Sequence, residues 1–522
     1  MAEAEDYTMK RRIRIGYIGQ NRSWEQLLGQ IGVAWERLNP GKSISIASYS
    51  SVIVDRKLSR SEQTHVDEYL KNNGALLDAT GTFCSGSLRK TTLTAIYPES
   101  EDPLFGHIDV IPVYGSAYRI SSSGLLDGTV WLDPSPKRHL AFCGLPVDRL
   151  WHDYKTIHKS FGNTSGAATA ERASALQSHP YFEVILTLLK TLHDQSGLPF
   201  IHTWWHPDSK KHAATFRIDS DYGNLESITT LSKSAQRSNI PLTWFLHVSH
   251  HAGYLPQLIE SIPETDEIAL HCYRHYEYQT EEQYRSDILE GLKLLQKNGV
   301  YPKGYAAPYG SWTEAIASAL QQFSFEYTSE FGYDYDSLPS VSKKSSILQL
   351  PIHPVSIGSF RRFRSEMSDV RHYFNQTIKL KHLTHQPLHL YHHPNDGEPD
   401  QFTELLTLLE PGDYQWMTYT DWSNWWRQRT AAAFNAYFDT DTVQLGITGS
   451  GSHQFPMAIH LQNKFHISFI SDTTLHLGEL PFRPYINPEL KSIIEKRKSE
   501  TAISWFRQTK DQWLTHIWRN RA

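Results

Sequence analysis

Thr215-Phe216-Arg217-Ile218-Asp219-Ser220-Asp221-Tyr222-Gly223 is a strand-like run that ends in two carboxylates and a glycine. Residues two apart on an extended strand share a face, so Asp219 and Asp221 are expected to point into one site. Two carboxylates so close repel each other, and a divalent cation relieves the repulsion. One of them can bind that cation while its neighbour holds an attacking water.

Three later segments extend this chemistry: Leu270-His271-Cys272-Tyr273-Arg274-His275, then Ala307-Pro308-Tyr309-Gly310, then Leu390-Tyr391-His392-His393-Pro394. His271 and His275 follow an expected strand run at 267–270. A spacing of four sets both imidazoles on one side of a helical turn, or lets a loop wrap them round a cation. The residues between them are Cys-Tyr-Arg, so the glutamate base of an HExxH zinc site is missing. A base must come from elsewhere, and Asp219 is available. One Asp with two His leaves coordination positions open, as a catalytic metal site requires.

The surrounding pattern alternates strands with helices. Expected helices cover 226–238, 281–298 and 313–322, and expected strands 242–247, 267–271 and 388–391. That is βα repetition on the scale of a barrel. Ahead of it, Arg12–Gly19 is an alternating strand, 24–38 a helix and 45–55 a strand. Ser59 with Glu62 three residues on signs a capping box for a helix over 59–73. The expected domains are a parallel α/β sheet of flavodoxin or amidotransferase type over 10–160, a barrel over 165–430 and a small β-sandwich-like domain over 431–485. A C-terminal helix over 486–522 carries Trp505, Phe506, Trp513 and Trp518. The stretch 170–195 is expected to be one helix opening the barrel.

The four chemical segments, in this order and at strand ends, resemble the motifs of the polysaccharide deacetylase family, also called the NodB-homology or carbohydrate esterase family 4 group. The resemblance covers residues 210–400 and implies a distorted (β/α) barrel. It implies Asp219 as general base, with Asp221, His271 and His275 as ligands of a divalent metal, zinc above others. The backbone N–H of Tyr309 would hold the oxyanion, and His393 would be the general acid that protonates the departing amine. Amide hydrolysis has a poor leaving group, so an acid is needed opposite the base. The sequence departs from the family twice. The third motif begins with Arg in the family, and Ala306 stands there, leaving Arg217 or Arg274 to fill the gap. The fourth motif has no clear match, with Phe331-Gly332-Tyr333-Asp334-Tyr335-Asp336 occupying its region.

Composition narrows the rest. Lys and Arg number 51 against 56 Asp and Glu, a net charge of −5 without a basic block, which excludes nucleic acid as the expected partner. No apolar run approaches the roughly 20 residues of a membrane span, and the first residues, acidic and then basic, lead to no expectation of a secretory leader. Three scattered cysteines make no disulfide framework, so the expected compartment is the cytoplasm. Cys84 is expected to be an inert thiol, and His202 and His206 polar residues at the mouth of the barrel. The expected function is metal-dependent hydrolysis of a non-peptide C–N bond, removal of acetyl from an N-acetylated sugar or glycan precursor. Two alternatives stand beside it: a catalytically impaired glycan-binding or scaffolding module, and a cyclic-amide hydrolase acting on a non-sugar. The substrate is a carbohydrate or a small amide, and the N-terminal domain or the C-terminal helix offers a surface to a protein partner.

Overall fold

The strand that ends at Asp219 runs His212–Asp219 (β1) in the computed structural model, and all eight of its residues are buried. A strand buried on both faces belongs inside a parallel sheet, and that is its place. The structure describes residues 10–120, 124–152, 155–162, 168–342, 345–361, 365–397, 399–409, 413–448, 455–470, 473–487, 489–490 and 492–494. They divide into two compact units.

The unit that holds β1 comprises residues 150–179, 210–426 and the chain from 488. Its sheet adds Leu242–His247 (β2), Glu267–Cys272 (β3), Gly304–Tyr305 (β4), Tyr327–Thr328 (β5), Leu348–Gln349 (β6), Leu388–His392 (β7) and Tyr414–Met417 (β8). The order is β6-β5-β4-β3-β2-β1-β7, with every neighbouring pair parallel. β8 lies along the first half of β1, from His212 opposite Tyr414. Among the described residues no strand pairing joins β6 to β7. One backbone hydrogen bond, from the His353 N–H to the His389 carbonyl at 2.9 Å, spans the gap. The result is an α/β barrel-like sheet that stops short of a complete ladder.

Helices return the chain between strands, several of them opened by a polar cap. Asn224 accepts from the Ser227 N–H at the start of Leu225–Arg237. Thr280 and Gln283 form a capping box ahead of Glu281–Lys297, and Thr313 caps Glu314–Leu320. The apolar side of the sheet is filled by Phe216, Ile218, Trp244, Leu246, Leu270 and Leu390, all fully buried.

The helix expected over 170–195 starts only at Ser178. The residues before it form a hairpin, Thr156–Gly162 against Ala168–Ser174. Thr169, Glu171 and Ala173 are buried while Arg172 between them is exposed, the alternation of a strand. Helix propensity in this alanine-rich stretch gives way to that one-sided burial.

The other unit comprises residues up to 149, 180–209 and 427–487. Its main sheet runs Trp35–Arg37, Ile15–Ile18, Ser51–Val54, Leu76–Asp78 and Leu140–Cys143 in parallel, with Val130–Leu132 antiparallel at one edge. The capping box is present, Ser59 and Glu62 opening Arg60–Lys71. The helix expected over 24–38 spans Arg22–Ile31 and ends on Gly32, whose φ of 86° is left-handed. Trp35–Arg37 then begins a strand, and the strand expected over 45–55 shortens to Ser51–Val54.

The β-rich C-terminal stretch does not stand alone within this unit. Ala433–Asp439 pairs with Arg11–Arg12, and Phe455–Leu461 pairs with Phe200–Thr203. Ile13, Ile201, Phe434, Val443 and Ile459 share one core there. The domain boundaries therefore fall elsewhere than the composition change at 431 implies, because each C-terminal sheet borrows a strand from a distant part of the chain. The helix expected to carry Trp505, Phe506, Trp513 and Trp518 lies outside the described residues.

Candidate metal and hydrolytic centre

The chemical residues sit at the carboxyl ends of the parallel strands, the end at which barrel sites form. Asp219 is the last residue of β1, His271 the penultimate residue of β3, and His393 directly follows β7. The turn Pro308–Gly310 follows β4, and Tyr309 takes a left-handed φ of 60° there.

Asp221 reaches the centre by a different route from the one its spacing suggests. The strand ends at Asp219, and Asp221 stands in the following turn with a φ of 37°. Strand alternation therefore does not orient its side chain. The turn is packed by Gly223, where an added Cβ would meet the Pro394 ring 2.7 Å away. That close approach joins the first motif to the last. His271 belongs to β3 and His275 to the loop after it, so the loop wraps the pair rather than a helical turn presenting it.

Asp221 Oδ1 lies 3.2 Å from His271 Nε2 and 3.3 Å from His275 Nε2. One ligand atom from each of these residues comes within 4.8 Å of the others, the single such group of His, Cys, Asp and Glu among the described residues. His271 Nδ1 is 2.8 Å from the Ala306 carbonyl, which can only accept, so Nδ1 carries the proton. In neutral His271 the Nε2 lone pair then faces a carboxylate oxygen. Asp221 Oδ1 is buried and makes no well-directed hydrogen bond despite both nitrogens nearby. Lone pairs converging without a shared proton fit a cation, and one carboxylate with two imidazoles suits zinc or a similar divalent ion.

Of the two candidates for the place left by Ala306, Arg217 is the one that touches Asp219. Its Nε and Nη2 hold both Asp219 oxygens at 2.5 and 2.7 Å. Its Nη1 donates to the Ser329 carbonyl. Arg274 plays no part in this, because its guanidinium lies over the Tyr273 ring.

His393 stands between carboxylates. Its Nε2 is 3.7 Å from Asp221 Oδ2 and 4.0 Å from Asp219 Oδ2, and its Nδ1 is 2.7 Å from Asp396 Oδ2. Burial alone would lower its pKa, but Asp396, then Asp221 and Asp219, raise it to about 10. A bound cation works in the opposite direction. Burial also pushes Asp221 up, and the close approach of His271 and His275 with the charge of His393 outweighs it, holding the carboxyl well below the usual range. His392 is turned away and stacks on Phe402. Sequence reasoning misses Asp396. Its one signal is a carboxylate three residues past His393, and Ser356 fixes it through a 2.6 Å hydrogen bond. Asp334 and Asp336, in the region of the absent fourth motif, serve other partners. Asp334 accepts from Ser178, and Asp336 binds His353 and Lys381 at 2.8 and 2.6 Å.

Tyr309 extends its side chain into solvent, 56% exposed, with its ring edge-on to His275. Two expected bystanders are resolved. His202 belongs to the other unit, not to the mouth of the barrel, because Phe200–Thr203 pairs with Phe455–Leu461. Its Nε2 lies 2.9 Å from His460 Nε2. Burial, then the Asp78 carboxylate, pushes the Cys84 thiol far above its ordinary pKa, the opposite of a nucleophile.

Residues 207–328 match the family model described as Polysaccharide deacetylase. That span contains Asp219, Asp221, His271, His275 and Tyr309, and His393 lies beyond it. Similar solved structures include peptidoglycan deacetylase PdaC from Bacillus subtilis, 16% identical over 43% of this chain and 96% of that one, with a TM-score of 0.32. PuuE allantoinase is 17% identical over 42% and 92%, with a TM-score of 0.37. BA3943, a CE4-family pseudoenzyme from Bacillus anthracis, is 13% identical over 42% and 66%, with a TM-score of 0.31. No curated protein matches the chain. Residues 207–328 carry polysaccharide deacetylase-family sequence, as the motifs in them imply.

Proposed function

We propose that the barrel-like unit is a metal-dependent hydrolase of a non-peptide C–N bond, removing acetyl from an N-acetylated sugar or glycan precursor. The convergence of Asp221, His271 and His275 carries this reading, with His393 and the Arg217-held Asp219 flanking them. Asp221, His271 and His275 would hold the cation, zinc among the divalent ions that such a nitrogen and oxygen set suits. When bound, the cation supplies charge for the carbonyl oxygen and acidifies a water. Asp219 takes the proton of the attacking water. Arg217 fixes the direction of that carboxylate. The Tyr309 N–H donates to the oxyanion, a contribution of about 3 kcal/mol for a well-placed donor. His393, steered by Asp396, gives its proton to the departing amine nitrogen.

The three cysteines form no disulfide, which supports a reducing compartment and a cytoplasmic reaction. No described helix is long and apolar enough to cross a membrane. The test is acetate release from N-acetylated sugars and oligosaccharides by the metal-loaded protein. Turnover that disappears in Asp219→Asn while metal is retained supports the reading. Sugar binding without turnover, unchanged by that substitution, contradicts it and favours a binding module.

A further inference from the structure

Asp221 presents its carboxylate from a backbone conformation that L-residues avoid. A φ of 37° lies in the left-handed region, which costs a non-glycine residue about 1–2 kcal/mol. Such a conformation persists where its surroundings over-determine it. The Asp221 side chain is committed to His271 and His275, so the hold must act on the main chain and on the neighbouring Ser220.

The end of β2 and the segment after it provide it. His247 Nδ1 lies 2.9 Å from the Asp221 carbonyl. A carbonyl only accepts, so Nδ1 is the donor. The His247 N–H donates to Ser220 Oγ at 2.9 Å, and Ser220 Oγ lies 2.7 Å from His251 Nε2. His251 Nδ1 is 2.8 Å from the Tyr254 hydroxyl, and that hydroxyl donates to the Gly223 carbonyl at 3.1 Å. The Tyr254 proton is thus used on Gly223, so His251 Nδ1–H donates to the Tyr254 oxygen. His251 Nε2 then accepts from the Ser220 hydroxyl. Each of these donors finds one acceptor, His251 is neutral, and the loop of bonds closes round residues 220–223. The Gly223 N–H completes the turn by donating to the Ser220 carbonyl at 2.8 Å.

We propose that His247, His251 and Tyr254 are positioning residues that clamp the 220–223 turn and so aim the Asp221 carboxylate at His271 and His275. This rests on the metal centre described above. None of the three reaches the centre through a ligand atom of the convergent group. His251 and Tyr254 act through the 220–223 turn, and His247 acts through the Asp221 carbonyl while its ring also lies beside His275, centroids 5.7 Å apart. Outer partners of this kind change metal affinity by about 10–100-fold when lost.

The experiment is a cobalt(II) titration of the full-length chain, followed by visible absorption, for wild type, His247→Ala, His247→Asn and Tyr254→Phe. Folding of each is checked by circular dichroism. His247→Ala and Tyr254→Phe are expected to bind cobalt about 10-fold more weakly or worse, with an altered spectrum. His247→Asn keeps an N–H donor near the Nδ1 position and is expected to recover most of the affinity. Tyr254→Phe keeps the ring packing, so it decides the matter alone if His247→Ala fails to fold. Cobalt binding unchanged in Tyr254→Phe, or His247→Asn no better than a folded His247→Ala, overturns the clamp. A wild-type chain that takes up no cobalt overturns the centre itself, whereas wild-type uptake with unchanged variants overturns only the clamp.

Discussion

Arg217 and Asp219, two residues apart on one strand, form a buried two-point ion pair with contacts of 2.5 and 2.7 Å. Arg217 and its carboxylate partner lie on the same strand. The pair is planar and forked, a geometry that a lysine ammonium cannot reproduce. Arg217→Lys is therefore expected to lower kcat by about two orders of magnitude, the scale of a mispositioned catalytic group, with metal content unchanged. Arg217→Met leaves a buried carboxylate unpaired and is expected to lose about 3–5 kcal/mol of stability. Steady-state kinetics and thermal unfolding check both. Near-wild-type turnover in Arg217→Lys means that the fork does not orient the base.

Asp396 is the first cause raising His393, so the proton on His393 is expected to depend on it. The acid must be protonated to work, and activity falls as pH rises through the pKa of His393. Removing the carboxylate in Asp396→Asn should move that alkaline limb of kcat downward by about one pH unit or more. A pH–rate profile of the metal-loaded variant decides it. An alkaline limb that stays in place assigns the limb to another group.

Two buried histidines of the other unit set an acid limit on its stability. His193 lies between the Leu189 carbonyl and Ser50 Oγ, and burial lowers its pKa to about 4. His202 is lowered by burial to about 3. The unfolded chain takes up these protons near pH 6.5, before the folded chain can. Their contribution is therefore present above pH 6.5 and is lost as pH falls towards 4 and 3, at about 1.4 kcal/mol for each pH unit separating the folded from the unfolded pKa. Glu330 in the barrel-like unit has the opposite sign. Burial raises it to about 7, so its contribution is present below pH 4.5 and is lost as pH rises through 7. Hydrogen exchange resolved by peptide, corrected for intrinsic rates, should show protection over 189–203 falling from pH 7.5 to 5.5. Over 327–331 protection should rise across the same change. Protection over 189–203 that holds or rises at pH 5.5 contradicts the assignment.

The barrel-like fold was legible because apolar runs alternate with helix patterns, and because β1, β3 and β7 are short apolar runs that each lead into a chemical motif. The meeting of the Asp219–Asp221 segment with His271 and His275 was legible because strand ends in a parallel sheet lie side by side. The Arg217–Asp219 pair had a local signal, since residues two apart share a face of a strand, and Arg217 was one of two candidates. The turn at Asp221 was not legible. Its left-handed backbone is held by His247, His251 and Tyr254, and nothing in their spacing announces a hydrogen-bond circuit with Ser220 and Gly223. Asp396 was hidden in a loop whose course depends on Ser356. The pairing of Arg11–Arg12 with Ala433–Asp439 joins ends of the chain more than 400 residues apart, and periodicity carries no information on such a partner.

Four distant segments meeting at one cation is the claim on which the rest depends, and anomalous diffraction from crystals grown with zinc tests it most directly. Data above and below the zinc edge should give one strong peak per chain, within bonding distance of an Asp221 oxygen and the Nε2 atoms of His271 and His275. That peak should be absent in Asp221→Asn with His271→Ala. A wild-type map without density there, or with its zinc bound by other residues, contradicts the account.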